Sequence, residues 1–522
     1  GPVPPPQLVK ALLQAPVDLI FFGGIGTFVR ARDEGDLEVD DPANDDIRVS
    51  AEQVRARVVA EGANLALTQR ARAAYSRRGG RVNTDFVDNA GGVAMSDREV
   101  NLKILLGLSV DRGLIVQEQR DALLQEARDA AATAVLADVE GGVVALDLAS
   151  ASVGTDLPVY EALIEELEAG TALDRAVESL PGPEELARRR QAGAGLSRPE
   201  LAVLISYARS LLARSIEASP LTADPALAEV ASVYFPSPVR ELCARLVTSH
   251  PLFAQLIASR MANEVVKWMG PLWAYEAGSE LGRPLWAAAG AYRSASQLLD
   301  AEAIGTRVDE MSTSLSLDAE MALRATYTTG VGGLARWYLR RGQPSAQEAG
   351  VVASDRLAWA ALRGDAPEET GGLVSLGAPK ELSAETASLL LGQAAGEVGQ
   401  VARATGRQPA PVVPAWRRVD AGLGLGPLSE LLRGWPGAGR WQRWQLHVLA
   451  DQLADTRVAI SARALVAFPG EEGEQAVDRW LAAREQSVAR ATSLAARLRQ
   501  AAAGNDIALA TVAVAALSAI VD

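Results

Sequence analysis

The fold is constrained most by two short apolar segments between residues 57 and 106. Each segment is followed by a polar turn that contains glycine. Residues 58–60 precede the turn Glu-Gly-Ala-Asn at 61–64, and residues 81–86 precede Asp-Asn-Ala-Gly-Gly at 88–92. A segment with helical spacing follows each turn. This order is typical of half a doubly wound parallel sheet, in which ligands bind at the carboxyl ends of the strands. The sequence therefore predicts a binding site at the two turns.

A third apolar segment lies earlier in the chain. Residues 16–22 form a continuous apolar run, which predicts a strand buried on both faces. The run ends in Gly23-Gly24-Ile25-Gly26. Glycines let the backbone approach a ligand closely, but they also serve in a plain turn between strand and helix. Because the pattern is not the GxGxxG dinucleotide fingerprint, both interpretations of Gly23 and Gly24 stay open.

Residues 96–99, Ser-Asp-Arg-Glu, have the form of a capping box. The apolar spacing behind them predicts an amphipathic helix with Ser96 as its N-cap. A hydroxyl at a helix N-terminus is also well placed to bind a carboxylate. Ser96 is therefore either a helix cap, a ligand-binding residue, or both.

From about residue 117 onward, alanine and leucine at helical spacing replace the strand pattern. We therefore expect an α/β part followed by an all-α part. The α/β part, residues 1–148, should contain a partial Rossmann-like parallel sheet, the second half of a cofactor-binding domain. Residues 149–522 should form a large helical region. The proline-rich residues 408–415 predict an extended sub-boundary within it.

Charge excludes several kinds of partner. The 522-residue chain has a formal net charge of −14 and an isoelectric point near 5.0. An acidic chain is a poor match for nucleic acid or for an anionic membrane surface, so we expect neither as a partner. The most apolar segment, residues 507–521, is shorter than the roughly 20 residues that a membrane-spanning helix needs.

Cysteine and histidine are scarce. A single cysteine, Cys243, excludes a disulfide framework and favours a reducing compartment, so we expect a cytoplasmic protein. The only two histidines, His250 and His447, are far apart in the sequence. No metal-ligand cluster of known spacing can be written from these residues, and we predict no metal site.

Six phrases in the sequence carry a resemblance to a known family. In chain order they are GGIGTFVRA, VVAEGANLALTQ, VNTDFVDNAGGVAMSDREVNLKILL, GLSRPELAVLISYAR, YFPSPVRELCARLVTSHPLFAQLIASRMANEVVKWMGP and GLARWYLRR. Together they resemble the large NAD-specific glutamate dehydrogenases of bacteria. The resemblance runs from about residue 8 to about residue 341 and covers the end of the catalytic region and the C-terminal helical region.

The resemblance implies an NAD-linked enzyme that oxidatively deaminates L-glutamate to 2-oxoglutarate and ammonia. It implies that Asn64 binds near the nicotinamide ribose and that Asn89 contacts the nicotinamide side of NAD. By the same analogy, Ser96 binds the α-carboxylate of glutamate. Gly23 and Gly24 would lie beside the cofactor at the end of the preceding strand.

The same resemblance also implies what this chain does not supply. In the family, a lysine and an aspartate activate the substrate and water, and a glycine-rich turn holds the pyrophosphate. All of these lie upstream of this segment. We therefore assign no catalytic acid or base and expect this polypeptide alone to lack dehydrogenase activity. Family members form homo-oligomers, which we expect here too.

Two other functions are compatible with parts of the sequence. The acidic, alanine-rich helices would also suit a non-catalytic interaction or regulatory module, with the partial sheet playing only a structural role. A different amino-acid dehydrogenase, for leucine or phenylalanine, is disfavoured because those relatives do not carry the long helical tail.

Overall fold

The computed structural model describes residues 3–342, 349–363, 371–435, 439–501 and 506–521. The chain divides into two compact units, Gly1–Glu276 (unit 1) and Ala277–Asp522 (unit 2). Most of the described residues are helical. The strands are short and lie in unit 1.

Two small parallel sheets form in unit 1. Their strands, in chain order, are β1 (Leu19–Phe22), β2 (Val29–Arg30), β3 (Val49–Ser50), β4 (Val58–Glu61) and β5 (Arg81–Val82). The first sheet has the order β1-β4-β5, and the second pairs β2 with β3. The register of β1 on β4 places Phe22 opposite Glu61, so both strands end at the same level. A small parallel sheet within a mostly helical chain confirms the coarse prediction of fold class.

The remaining elements of unit 1 are helices. They are α1 (Pro5–Leu13), α2 (Asp36–Val39), α3 (Gln69–Arg77), α4 (Asp85–Asp88), α5 (Ala90–Asp111), α6 (Gln117–Gly170), α7 (Pro183–Gln191), α8 (Arg198–Glu217), α9 (Ala228–Ser232), α10 (Ser237–Cys243) and α11 (Phe253–Met269). Helix α12 (Trp273–Leu281) contains the division between the units. Residue 148, at the expected domain boundary, lies inside the 54-residue helix α6.

Strand β1 differs from its prediction. Leu19 is 54% exposed and Phe21 is 65% exposed, so the expectation of a strand buried on both faces was wrong. Among the described strands, β1 pairs only with β4 and forms the edge of its sheet. An apolar run indicates a strand, but it does not reveal how many faces the fold will cover.

The second polar turn is also different. Strand β5 ends at Val82, and the Asn-Ala-Gly-Gly sequence begins helix α5 instead of forming a turn. Asn89 occupies the N-cap position, so Ser96 lies almost two turns inside the helix. The prediction that Ser96 caps the helix was therefore wrong. A capping box in the sequence cannot exclude a helix that has already started upstream.

Unit 2 is built from helices. They are α13 (Leu285–Leu298), α14 (Ala301–Met311), α15 (Leu317–Arg341), α16 (Ala349–Arg363), α17 (Gly371–Ser375), α18 (Lys380–Ser388), α19 (Gly392–Thr405), α20 (Pro409–Leu423), α21 (Leu425–Arg433), α22 (Arg440–Ala467), α23 (Gly473–Ala482), α24 (Glu485–Ala501) and α25 (Ile507–Ser518). Residues 408–415 form the N-cap and first turns of α20, so the expected extended conformation was wrong. Prolines in the first turn remove N–H groups that have no partner within the helix anyway.

A buried ion pair connects three helices of unit 2. Glu397, on α19, is fully buried and accepts hydrogen bonds from Arg457 of α22 at 2.7 and 2.9 Å. Trp416 of α20 donates its indole N–H to the same carboxylate at 2.9 Å. The guanidinium also lies over the Trp416 ring, 4.5 Å from its centroid. Buried charges persist only when they are paired and hydrogen-bonded, so this contact specifies how the three helices pack.

A second buried carboxylate in unit 2 is less well compensated. Asp355 is fully buried and accepts hydrogen bonds from the Tyr338 hydroxyl at 3.0 Å and from Arg403 Nη1 at 2.5 Å. Burial raises the pKa of Asp355 to about 6, although Arg403 and Tyr338 act in the opposite direction. The folded state therefore favours the protonated form more strongly than the unfolded chain does.

We predict that Asp355 makes unit 2 less stable as the pH rises. Because its folded pKa lies above its unfolded pKa, its stabilising contribution is complete below about pH 4 and is lost as the pH rises through about 6. The loss should amount to about 2–3 kcal/mol. The free energy of unfolding of Asp355→Asn minus that of wild type should therefore be larger at pH 7.5 than at pH 4.5. The increase should be about 2–3 kcal/mol.

Urea unfolding followed by tryptophan fluorescence checks this prediction, because eight of the ten tryptophans lie after residue 276. Asp478→Asn is the matched control, since Asp478 forms an exposed ion pair with Arg418. Its stability difference from wild type should change little with pH. Parallel pH profiles for Asp355→Asn and wild type would contradict the prediction.

Candidate functional site

The turns that follow β1 and β4 lie side by side. The Phe22 carbonyl accepts hydrogen bonds from the N–H groups of Gly62 and Ala63 at 2.9 and 3.1 Å. Gly23 and Gly24 follow directly and are exposed. A Cβ atom at Gly24 would meet no other atom within 4 Å. The carboxyl end of the sheet is therefore open at Gly24, whereas a Cβ atom at Gly23 would contact the Phe21 ring at 3.4 Å.

Asn64 and Asn89 come together at this end of the sheet. The Asn89 side-chain amide donates a hydrogen bond to the Asn64 side-chain oxygen. Both residues line one cavity of about 730 Å³ within unit 1. The structure thus brings together two residues that are 25 positions apart in the sequence.

Ser96 does not line that cavity but lies close along the chain. It is exposed on α5, seven positions after Asn89. Seven residues are almost two helical turns, so both residues lie on the same face of α5, about 10 Å apart along its axis. The exposed Val93 lies between them on this face. A ligand that reached both residues would have to lie along the helix.

A buried cluster of charges holds the Asn64 turn, and sequence reasoning missed it. Glu61, at the end of β4, is fully buried and accepts hydrogen bonds from Arg72 of α3 at 2.7 and 2.8 Å. Arg72 also pairs with Asp85 of α4 at 3.1 Å. Burial would lower the pKa of Arg72, but the hydrogen bonds and charges of both carboxylates outweigh burial and raise the pKa. Arg72 therefore remains a cation between two buried carboxylates.

The same carboxylates hold the backbone of the turn. Glu61 accepts the N–H of Leu67 at 3.1 Å, and Asp85 accepts the N–H of Leu65 at 2.9 Å. Leu65 has φ +67°, a left-handed conformation that costs a non-glycine residue roughly 1–2 kcal/mol. The hydrogen bond from its N–H therefore stabilises a strained position directly after Asn64.

A further carboxylate connects the start of α5 to the sheet. Asp88 precedes Asn89 and accepts the Glu61 N–H at 2.9 Å and the Asn83 amide at 2.7 Å. Arg198 of α8 donates to the Asn83 oxygen at 2.6 Å. These contacts hold the N-terminus of α5, and with it Asn89, against the end of β4 and against α8.

The site can form hydrogen bonds but shows no arrangement for binding a metal. The two carboxamides offer both donors and acceptors at an accessible surface. Within the described ranges of the chain, no group of three or more His, Cys, Asp or Glu residues is arranged to hold a metal ion. None of the described helices is both long enough and apolar enough to span a bilayer.

Two family models match the chain. Residues 2–149 match the bacterial NAD-glutamate dehydrogenase catalytic domain, and residues 193–519 match the glutamate dehydrogenase C-terminal region. Curated relatives named NAD-specific glutamate dehydrogenase are similar to this chain over nearly all of its length. The protein from Halomonas elongata is 33% identical over 499 residues, which cover 92% of this chain and 31% of the relative.

Two further relatives carry the same name. The Pseudomonas aeruginosa protein is 33% identical over 522 residues, which cover 98% of this chain and 32% of the relative. The Mycobacterium tuberculosis protein is 32% identical over 502 residues, which cover 93% of this chain and 31% of the relative. The chain thus spans about a third of the length of the curated relatives that it matches. It belongs to the bacterial NAD-specific glutamate dehydrogenase family, which confirms the resemblance noted in its sequence.

Proposed function

We propose that this chain takes part in the NAD-dependent oxidative deamination of L-glutamate to 2-oxoglutarate and ammonia. Its part is to form the nicotinamide side of the NAD site. Family membership supports the reaction, and the direct contact between Asn64 and Asn89 beside the strand ends supports the site. In this proposal, residues 1–148 are the second half of a Rossmann-like cofactor domain, and residues 149–522 form the helical C-terminal domain.

The residues at the strand ends fit NAD. Carboxamides such as Asn64 and Asn89 can both donate to and accept from ribose hydroxyls and the nicotinamide carboxamide. The open space at Gly24 leaves room for a planar group to approach the backbone. Bound NAD would supply the hydride acceptor, and these residues would bind and orient it.

The buried charges would keep the amides in position. The Asn64 turn is held by Glu61 and Asp85 through backbone hydrogen bonds, and both carboxylates are held by Arg72. A binding group is more effective when its supporting contacts fix it in advance. We therefore assign Arg72 a positioning role.

Ser96 would bind the substrate. It lies on the same exposed face of α5 as Asn89, about 10 Å further along the helix. Its hydroxyl could donate a hydrogen bond to the α-carboxylate of glutamate while the nicotinamide lies beside Asn89. In this arrangement α5 aligns cofactor and substrate along one helix face.

We also propose a cytoplasmic homo-oligomer. Cys243 is buried and free, with its sulfur 3.1 Å from the Ser109 hydroxyl, as suits a protein in a reducing compartment. The oligomer rests on the family resemblance alone.

Kinetics should separate the roles of the three side chains in the longest natural polypeptide that contains this chain. Asn64→Ala and Asn89→Ala should each raise the KM for NAD about tenfold, because each removes a hydrogen bond to the cofactor. Ser96→Ala should raise the KM for glutamate at least about tenfold, because its hydroxyl binds a charged group. Thr133→Ala, which removes an exposed hydroxyl on α6, is the control. A KM for NAD within about twofold of wild type in both asparagine variants would contradict the assignment.

The 522-residue chain by itself should not turn over glutamate. This expectation follows from the resemblance, in which the family's catalytic lysine and aspartate have no counterpart assigned in this sequence. Purified chain incubated with glutamate and NAD should produce no NADH above background at 340 nm. Steady NADH production by a homogeneous preparation would contradict the expectation.

Removing Arg72 should destabilise unit 1. Arg72→Met leaves Glu61 and Asp85 buried without their cation, which should cost about 3–5 kcal/mol. The control is Arg70→Met on the same helix, because Arg70 pairs with the exposed Asp33 and should cost less than about 1 kcal/mol.

Urea unfolding followed by far-ultraviolet circular dichroism measures both losses in stability. Hydrogen exchange of the Leu65 and Leu67 amides should accelerate in Arg72→Met but not in Arg70→Met. Equal losses of stability in the two variants would show that the buried cluster does not hold the turn.

A further inference from the structure

The cavity beside Asn64 and Asn89 extends well beyond these residues. Five helices of unit 1, α4, α5, α6, α8 and α11, contribute to its wall. Helix α8 contributes positions spaced by three and four residues between 202 and 213, and α11 contributes a similar series between 252 and 264. Each helix therefore presents one face to the cavity. Arg209 lies near the middle of the α8 face, and Arg260 lies near the middle of the α11 face.

Arg209 lacks the partner that a partly buried cation requires. Its side chain forms no hydrogen bond or ion pair with any other residue in the part of the chain that the structure describes. Burial lowers the pKa of Arg209, and the charge of Asp138 acts in the opposite direction from beyond ion-pair distance. Asp138 itself pairs with Arg98 at 2.6 Å. Arg209 is partly exposed and lines the cavity, so its guanidinium can pair with an anion supplied from outside the chain.

Arg260 repeats this arrangement on the facing helix. It is partly buried and likewise has no hydrogen bond or ion pair among the described residues. Two of the carboxylates on the wall are already compensated by other arginines, Asp85 by Arg72 and Asp138 by Arg98. The other two carboxylates on the wall are Asp97 and Glu264, and no carboxylate among the described residues forms an ion pair with Arg209 or Arg260.

Asn101 lies on the same wall and is held by the residues around it. Asn101 is only 8% exposed, and its side-chain oxygen is buried without a hydrogen-bond partner. Its side-chain N–H groups donate to the Asp97 carbonyl at 3.0 Å and to the Tyr234 hydroxyl at 3.2 Å. A buried acceptor left unpaired costs about 1–3 kcal/mol.

We propose that this cavity binds a small anionic molecule through Arg209 and Arg260, which would hold a carboxylate or phosphate group between α8 and α11. Guanidinium groups match the planar geometry of both anions. Ser206, Ser259 and Asn263 line the same faces and can donate further hydrogen bonds. A volume of about 730 Å³ lies within the usual range for small-molecule sites. Arg209 and Arg260 line the same cavity as Asn64 and Asn89, so the anion site adjoins the proposed NAD site, but it is inferred from the arginines alone.

Thermal unfolding and calorimetry of the 522-residue chain test the proposal with two probes, inorganic phosphate and succinate, at constant ionic strength. Either probe should raise the unfolding midpoint of the wild-type chain by a few degrees. Arg209→Gln and Arg260→Gln should each weaken binding at least about tenfold, because each removes a charge-assisted hydrogen bond. Arg214→Gln is the matched control, since Arg214 is exposed on α8 and does not line the cavity.

A second readout distinguishes loss of binding from loss of folding. Without ligand, Arg209→Gln should unfold no earlier than wild type, because the substitution removes a desolvated and unpaired cation. Stabilisation by only one of the two probes supports the proposal and identifies the anion class.

Three results would overturn the proposal. The first is that neither probe stabilises the wild-type chain up to about 20 mM. The second is that Arg209→Gln and Arg260→Gln are both stabilised by the probe as much as wild type. The third is that Arg214→Gln loses as much binding as the two cavity variants. None of them bears on the NAD site, which the KM values of the asparagine variants test separately.

Discussion

The contact between Arg72 and its two buried carboxylates is the constraint on which the rest of the site depends. Glu61 ends a strand, Arg72 lies on the following helix, and Asp85 begins the next one. A single cation therefore joins β4, α3 and α4 at the carboxyl end of the sheet. Because separating Arg72 from Glu61 and Asp85 would leave buried charges uncompensated, the elements have little freedom to move apart. The accessible asparagines occupy positions that this interior determines.

Each unit contains a buried arginine that is paired with carboxylates, but the two ion pairs have different roles. In unit 1 the buried cation lies beneath an open surface and orients groups that face solvent. In unit 2 the pair of Glu397 and Arg457 lies deep among helices and specifies their packing. The cavity near α8 and α11 shows the opposite case, in which no carboxylate among the described residues pairs with Arg209. Comparing compensated and uncompensated arginines separates structural charges from charges available to a ligand.

The sequence predicted the locations of polar groups better than the elements that carry them. Asn64 and Asn89 were identified from their positions after apolar segments, and the structure places them in contact. The start of α5 was missed because Gly91 and Gly92 are typical of turns, while the capping pattern at Ser96 offered a plausible later start. Local signals of this kind compete, and only the tertiary contacts of Asp85 and Asp88 decide between them. The burial of β1 was mispredicted because an apolar run does not indicate which other elements will pack on the strand. Arg72 was missed because a lone arginine in a helix gives no sign that its partners are buried.

The left-handed Leu65 has a consequence for how this loop could evolve. Glycine or asparagine would adopt φ +67° at lower cost, so neutral drift would be expected to introduce one of them. A leucine restricts the backbone of the unfolded loop more than glycine does, which reduces the entropy lost when the loop orders. Selection for a loop that is already ordered before its ligand arrives would therefore retain a residue that local conformational energy alone disfavours.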